Sequence, residues 1–419
     1  MVKQQIPRIA NMGLRALATG SKFLLLFGLA KMLQPGEVGQ YGLFAAAIGF
    51  SMLVIGGDFY TYSQRELLSG KKDRWSFVLQ HQIAATLLLY LALLPAQLLW
   101  FGFDLLPSTL ILWFFSILIA EHVAQEINRL LIAMHRPLIA SWVLFVRMGL
   151  WVWAALPIMW FYPHYQKLEF VYLSWLLGVS LAFLIGALVI WKETRPWRWW
   201  TLDLVWIKKG LGVGALFLTA TMCFKALFTV DRYVVGYLAG ADFLGVYVLY
   251  IGIAMAVTAF MDSAVFSFLY PKLVKAFRRS RPLEYRRILR ELTWSVAGFG
   301  LVLGAGVVVL APLVLEWIGK APYLEHLWLL WLLLVMSLIY DVGMIPHYGL
   351  YAKGDDRGIM VAHISALPVF AFATAAFSTI LPLHAAAIGL TCAFSYMGLY
   401  KYWRYRNSEK YSSTTVATS

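Results

Sequence analysis

Two eight-residue stretches of the chain carry basic side chains that could hold an anion. The first, RALATGSK, begins at Arg15 and ends at Lys22, and the second, KALFTVDR, begins at Lys225 and ends at Arg232. In both, the two cations are spaced i and i+7, which puts them on one face of a helix. Guanidinium and ammonium groups bind phosphate and pyrophosphate oxygens, so we predict that these faces bind an anion.

Both stretches lie within long apolar segments. The chain has 419 residues, of which 61% are hydrophobic and 13% charged, and its mean hydropathy is +0.72. Soluble domains carry roughly 25% charged residues, so the composition indicates an integral membrane protein and excludes a soluble one. A cation inside a membrane span is costly unless it reaches the headgroups, meets a partner or lines a wet cavity.

Twelve apolar segments are long enough to span a bilayer as helices, since a span needs about 20 residues. We therefore predict an all-α integral membrane fold of about twelve helices. The predicted spans are 10–33, 39–60, 76–102, 107–133, 138–162, 169–191, 210–238, 243–270, 292–318, 324–352, 359–381 and 383–403.

The distribution of basic residues supports this number of spans. With a cytoplasmic N-terminus, 27 cations fall on the inner side and only Lys31, Lys167 and Lys320 on the outer side. This asymmetry follows the positive-inside rule and accounts for most of the net charge of +14 without invoking nucleic acid. Five cations remain inside predicted helices: Arg15, Lys22, Arg147, Lys225 and Arg232.

An internal repeat relates the two halves of the chain. LQPGEVGQYGLF after the first predicted helix is similar to LAGADFLGVYVLY after the seventh, with Gly39 and Gly245 as equivalent landmarks. Asp58 and Asp262 follow these glycines at similar distances. We predict two pseudo-symmetric six-helix bundles in a parallel repeat. Their predicted bounds are 1–200 and 201–404, with a cytoplasmic tail at 405–419.

Depth in the membrane distinguishes the intrahelical cations. Lys22 lies about 16 Å from either end of its span, at 1.5 Å per residue, and cannot easily reach water through lipid. Arg15 lies near the inner end, where snorkelling to the headgroups is nearly as good an interpretation. Arg147 lies about nine residues into the fifth predicted helix. If the halves meet around a central cleft, the basic faces would make that cleft positive.

Acidic residues in the spans have either coupling or structural roles. We consider Asp58, Asp262, Asp341 and Glu121 as candidate sites for a coupling ion. Gly343 and Pro346 follow Asp341 and are residue types that break helices. Other acids could pair: Glu126 and Arg129 are spaced i, i+3, whereas Asp231 points about 100° away from Arg232 on an ideal helix.

Histidine and cysteine give weak signals. His122 and Glu126, spaced i, i+4, could serve a metal ion or a proton relay. They offer only two ligands, however, and a hydrogen-bonded core pair is the better interpretation. Cys223 and Cys392 lie inside apolar runs and suggest buried small residues rather than a disulfide or a metal site.

Two cytoplasmic segments are unusually basic. Residues 271–292 hold eight cations, which either gather anionic headgroups or a pyrophosphate or simply set the topology. The segment 192–210 mixes four Trp with five cations and is typical of an amphipathic linker at the interface.

The turn and Gly-x-Tyr of LQPGEVGQYGLF, their echo in DRYVVGYLAGADFLGVYVLY, the twelve predicted helices and the basic helices carry a family resemblance. The chain resembles the Wzx-type polysaccharide (O-antigen) flippases of the multidrug/oligosaccharidyl-lipid/polysaccharide exporter superfamily. It is also similar to the lipid II flippases in the cations of its first helix, although those usually have fourteen helices. It resembles the MATE drug exporters in helix number, although their acidic lobes and cationic substrates fit these basic residues poorly.

The resemblance implies a MATE-like fold and translocation of undecaprenyl-pyrophosphate-linked oligosaccharide units across the bacterial inner membrane. It implies a lipid-linked oligosaccharide and the bilayer as partners, together with the polysaccharide polymerase and chain-length machinery, but no nucleic acid. It implies no cofactor beyond a coupling H⁺ or Na⁺. Two alternatives stay open: a MATE-like exporter of small molecules, and a membrane polymerase, ligase or glycosyltransferase. The enzyme is disfavoured because the predicted outward loops are too short to hold a catalytic site. The sequence contains no GxxxxGK[ST] motif, so we do not expect ATP hydrolysis to drive transport.

Overall fold

The computed structural model describes residues 2–69 and 72–416, and within them every regular element is helical. The α-helices of the first part of the chain are α1 Val2–Met32, α2 Pro35–Gly56, α3 Tyr60–Ser69, α4 Trp75–Leu93, α5 Leu99–Gly102, α6 Ile111–Ala133, α7 Pro137–Phe145, α8 Trp151–Phe161 and α9 Leu168–Glu193. The remainder are α10 Leu204–Met261, α11 Ser267–Arg278, α12 Pro282–Ile318, α13 Ala321–Glu325, α14 Leu327–Lys353, α15 Asp356–Ser378 and α16 Pro382–Val416. The predicted all-α membrane fold is confirmed.

Eleven segments of the described residues are long and apolar enough to cross a membrane. One of them, Leu218–Arg278, has 61 residues. At 1.5 Å per residue it would be about 90 Å long, three times the hydrocarbon thickness of a bilayer. The helix is broken at Gly240, whose φ of 82° and ψ of 177° are not helical. This segment therefore accounts for two of the twelve predicted spans.

In two spans a short π-helical segment interrupts the α-helix. Val146–Leu150 joins α7 to α8, and Asp262–Phe266 joins α10 to α11. Such π-segments are rare and occur frequently at functional sites. Two candidate residues from the sequence, Arg147 and Asp262, lie within them.

The chain divides into two compact units. The first contains Met1–Leu33 and Tyr41–Met222, and the second contains Gln34–Gln40 and Cys223–Ser419. These bounds differ from the predicted halves because residues 201–222 belong with the first unit and the beginning of α2 belongs with the second. The pseudo-symmetry of the two halves stays a prediction.

The linker after α9 explains part of this difference. Its backbone is extended, and the backbone of Trp200 forms two hydrogen bonds with the side-chain amide of Gln80 on α4. The Gln80 nitrogen donates to the Trp200 carbonyl oxygen, and the Trp200 N–H donates to the Gln80 oxygen. The backbone N–H of Asp203 donates to His81 Nε2 at 2.8 Å, and Trp206 packs in a buried cluster with α3 and α4. The beginning of α10 is therefore held to the first unit.

In the second unit, the two repeat landmarks pack against each other. A Cβ added at Gly39 would lie 2.9 Å from the carbonyl oxygen of Ala241 and 3.0 Å from the Gly245 nitrogen. A Cβ at Gly245 would lie 1.8 Å from the carbonyl oxygen of Pro35. Glycine is needed at these positions because two backbones approach more closely than any side chain permits.

Two details of the last helices differ from expectation. Gly343 and Pro346 do not break the tenth predicted span, because α14 runs continuously through both. A Cβ at Gly343 would lie 3.2 Å from Gly398 Cα, so the glycine serves close packing of α14 on α16, as small residues do in membranes. The helix α16 also continues to Val416, into the predicted tail, of which residues 417–419 lie outside the described chain.

Candidate functional site

The basic face of α1 is exposed in the first unit. The side chains of Arg15 and Lys22 are both solvent- or lipid-accessible rather than buried in the helix packing. Arg15 Nε donates to Ser141 Oγ on α7 at 3.2 Å, and Ser141 in turn donates to the side-chain oxygen of Asn11. This hydrogen bond orients the Arg15 side chain through Nε, and among the described residues its two Nη groups have no partner that would compete with a ligand.

Arg147 belongs to a buried ion pair. Its Nε donates to Glu121 on α6, and both side chains are largely buried, with exposures of 11% and 7%. A second carboxylate oxygen of Glu121 accepts from Trp175 Nε1 at 2.6 Å, and Arg147 also donates to Gln125. The structure therefore brings Arg147 and Glu121 together. Their mutual contact uses the charged groups with which Arg147 would bind an anionic ligand and Glu121 a coupling ion.

The two cations of α10 differ in their surroundings. Lys225 is exposed, whereas the Arg232 side chain is 19% exposed and donates to the carbonyl oxygen of Phe228. Arg232 Nη1 also lies 3.4 Å from Asp231 Oδ1, and the other oxygen of Asp231 accepts from Tyr247. Although adjacent residues point about 100° apart on an ideal helix, the long side chain of Arg232 reaches Asp231, so the two charges do meet.

The other three candidate acids lie in different environments. Asp58 is buried just after α2, with a positive φ of 50°, and burial raises its pKa while nearby Arg129 partly opposes the shift. Asp262 is exposed at the start of its π-segment. Asp341 is fully buried near Thr258, and neither of its carboxylate oxygens has a hydrogen-bond partner in the described part of the chain.

His122 and Glu126 are not paired with each other. His122 Nδ1 shares a hydrogen bond with Tyr90 OH at 2.7 Å. Glu126 accepts from Gln82 and from Arg129, which confirms the predicted Glu126–Arg129 pair. Among residues 2–69 and 72–416, no group of three His, Cys, Asp or Glu side chains is arranged to hold a metal ion.

Sequence reasoning missed the environment of Lys401. It was counted among the inner-side cations, yet its side chain is completely buried in the second unit. Its Nζ lies 3.3 Å from His363 Nε2 on α15. The available signal was the position of Lys401 inside the last predicted span, two residues before its end, which a count of loop charges overlooks.

The basic segment after α11 forms one wall of an open groove in the second unit. The groove has a volume of about 1540 Å³ and includes the beginning of α15. Arg281 in it pairs with Glu284 at 3.1 Å. The cations that line the groove are Lys275, Arg278, Arg279, Arg281, Arg286 and Lys353. Both interpretations of this segment, anion binding and topology, remain consistent with the groove.

Comparison with known proteins gives one consistent fold. No family model and no curated protein sequence matches the chain. Among solved structures, an inward-facing multidrug resistance MATE family transporter of the MOP superfamily is 16% identical, with a TM-score of 0.74 over 93% of this chain and 95% of that one. The outward-facing conformation of such a transporter is 15% identical, with a TM-score of 0.63 over 98% and 96% of the two chains.

A third similar structure is a MOP superfamily transporter from Pyrococcus furiosus, described as having a binding pocket of reverse polarity that suggests a different function. It is 14% identical, with a TM-score of 0.63 over 97% of this chain and 94% of that one. At these identities the likeness establishes the fold and leaves substrate and family membership to other evidence. The chain has the fold of the MATE transporters of the MOP superfamily.

Proposed function

We propose that the protein is a transporter, and specifically a flippase for undecaprenyl-pyrophosphate-linked oligosaccharide units of O-antigen or a related surface polysaccharide. The observation that carries this proposal is the presence of accessible cations in membrane-spanning helices: Arg15 and Lys22 on α1, and Lys225 on α10. Cations at such depth favour an anionic substrate over the organic cations of drug exporters. The MATE fold supports a transporter rather than an enzyme.

In this proposal the accessible cations bind the pyrophosphate and the lipid tail stays in the bilayer. Arg232 contributes more weakly, because Asp231 already neutralises part of its charge. Arg147 has a supporting role through Glu121 rather than a direct contact with substrate. Transport proceeds by alternating access in the bacterial inner membrane, with both termini cytoplasmic and H⁺ or Na⁺ as the coupling ion.

A reconstituted system tests the proposal. Proteoliposomes receive a fluorescent undecaprenyl-pyrophosphate sugar, and its exposure to an impermeant quencher measures translocation. We expect the Lys22→Ala and Lys225→Ala variants to lose most of the translocation rate, whereas Lys167→Ala, in an exposed loop, retains it. Unchanged translocation in both variants contradicts the assignment of these cations to the substrate.

A MATE-like exporter of small molecules is the second candidate, and it is favoured by the fold of the similar structures. It predicts resistance to cationic compounds when the protein is overproduced and normal surface polysaccharide when the gene is deleted. The flippase predicts the opposite in both assays, so the two measurements separate the candidates.

A further inference from the structure

Three titratable side chains from three helices meet inside the second unit. They are His347 on α14, His363 on α15 and Lys401 on α16. Lys401 is 0% exposed, and its Nζ is hydrogen-bonded to His363 Nε2 at 3.3 Å. The rings of His347 and His363 are parallel, with centroids 6.0 Å apart and an interplanar angle of 8°. We call these three residues the His–Lys cluster.

The His–Lys cluster has no carboxylate partner within the described residues. None of its three side chains forms an ion pair there, and His347 Nδ1 is buried without a hydrogen-bond partner. A buried ammonium group is normally paired with an acid or marks a functional pathway in a membrane protein. Because Lys401 has no acidic partner among the described residues, we interpret it as part of a functional pathway.

The geometry lets the cluster hold one proton between Lys401 and His363. Either the ammonium group donates to the neutral imidazole, or the imidazolium donates to the neutral amine; in both cases one hydrogen lies between Nζ and Nε2. Protonating both groups would put two positive charges 3.3 Å apart in a buried site, which is strongly unfavourable. Binding therefore adds one H⁺ to the neutral pair, and release returns that H⁺ to water.

The neighbouring elements shape the surroundings of the cluster. Phe224 of α10 stacks on His363, with centroids 5.0 Å apart, and Tyr348 packs edge-on against His347. Other titratable or charged groups on these helices lie near the cluster residues in sequence: Tyr340 and Asp341 on α14, Lys225 beside Phe224 on α10, and Arg404 one turn beyond Lys401 on α16. Asp341 is the buried acid among them, and its carboxylate accepts no hydrogen bond from the residues that the structure describes.

An ion pair covers the end of the helices nearest the cluster. Arg404, one turn beyond Lys401, donates through Nε to Asp355 Oδ2 at 2.7 Å and so joins α16 to the N-cap of α15. Lys353 at the end of α14 donates to Ser408 Oγ at 2.9 Å. By the charge distribution of the sequence this is the cytoplasmic end, so opening of the Asp355–Arg404 pair would give the cluster a short path to cytoplasmic water.

We propose that the His–Lys cluster is the proton-binding site that couples transport to the proton gradient. The site takes up one H⁺ and releases it past the Asp355–Arg404 pair. The coupling part of this proposal rests on the proposed flippase function, whereas proton binding by the cluster does not. The ion-coupling candidates named from the sequence, Asp58, Asp262, Asp341 and Glu121, are all carboxylates and do not include this cluster.

Proton binding is measured directly on the purified protein in nanodiscs. Histidine labelled with ¹⁵N reports the protonation of His363 by NMR between pH 5 and 9. We expect one His363 transition that moves in Lys401→Met, whereas the substitution leaves the chemical shifts of the exposed His164 unchanged. No His363 transition, or one that Lys401→Met leaves unchanged, overturns the proposal even if the protein transports nothing.

Coupling is measured in proteoliposomes with the fluorescent lipid-linked sugar. If one H⁺ moves per cycle, a gradient of one pH unit changes the leaflet ratio of the substrate about tenfold. We expect this shift in the wild type and in His164→Asn, and its loss in Lys401→Met and His363→Gln, which still equilibrate the substrate. A wild type that flips without any response to the pH gradient overturns the coupling role. If the variants unfold, the wild-type response and the His363 titration still decide.

Discussion

The Arg147 guanidinium shows how one residue type can serve two purposes in a membrane helix. From its position alone it resembled Lys22, yet its charge is already compensated by Glu121, which also accepts from Trp175. The i, i+3 and i, i+4 rules of a single helix cannot find such a pair, because Glu121 and Arg147 lie on different helices. The pair is therefore a structural element of the first unit.

Removing one partner of this buried pair should destabilise the protein. Glu121→Gln keeps the shape of the side chain but leaves the Arg147 charge buried and uncompensated, which costs about 3–5 kcal/mol in comparable pairs. Thermal unfolding in detergent measures the loss. The double variant Glu121→Gln/Arg147→Met is the control and should recover most of the stability. Equal stability of the single variant and the wild type would show that Arg147 reaches water.

Asp58 gives a prediction about pH. Because burial raises its pKa, the folded state favours the protonated carboxyl, and stability decreases as the pH rises from 3.8 through the raised value. Asp58→Asn removes this dependence and suits the positive φ of the position. We expect the variant to unfold at a higher temperature than the wild type at pH 7 and at the same temperature near pH 4. An equal difference at both pH values would contradict this cause.

At the scale of the elements, spans were predictable and their interruptions were not. Hydropathy located most spans to within about five residues, because twenty apolar positions in succession are a strong signal. The exceptions are the ninth span, which begins at Pro282 and not at 292, and the seventh and eighth, which form the one segment Leu218–Arg278. The π-segments at Arg147 and Asp262 and the continuity of α14 through Pro346 depend on packing between helices, which one sequence does not reveal. The Gly-x-Tyr landmarks were predictable in part. The sequence shows that they recur, but it does not show that Gly39 and Gly245 contact each other.

The close approach of the landmarks makes Gly245 sensitive to substitution. In Gly245→Ala the new methyl group would lie 1.8 Å from the carbonyl oxygen of Pro35, so the backbone of α2 or α10 must move. Overpacking typically costs about 1–3 kcal/mol, and we expect at least this loss in thermal unfolding. Gly306→Ala is the control, since it has no atom within 4 Å and should gain up to about 1 kcal/mol of helix propensity. Equal effects at both positions would contradict a role for the contact.

At the scale of the whole molecule, charge and fold support one another. The predicted asymmetry of 27 inner against 3 outer cations calls for an even number of spans. A second crossing by Leu218–Arg278 at the break at Gly240 would bring the eleven candidate segments to twelve. Of the five cations that this rule leaves unexplained, Arg147 and Arg232 lie in ion pairs. The side chains of Arg15, Lys22 and Lys225 are accessible. Fold class therefore followed from composition and periodicity, whereas the candidate site required knowledge of which charges neutralise each other.

The topology has a direct test in cysteine labelling. In a variant lacking Cys223 and Cys392, a single cysteine replaces Lys167, Asp242 or Arg279, all of which are exposed. We expect an impermeant maleimide to label Lys167→Cys and Asp242→Cys in intact spheroplasts, and Arg279→Cys only after permeabilisation. Labelling of Asp242→Cys matters most, because this residue follows the break at Gly240 and reaches the outer surface only if Leu218–Arg278 crosses the membrane twice. Protection of Asp242→Cys in spheroplasts would leave eleven spans and move the C-terminus to the outer side.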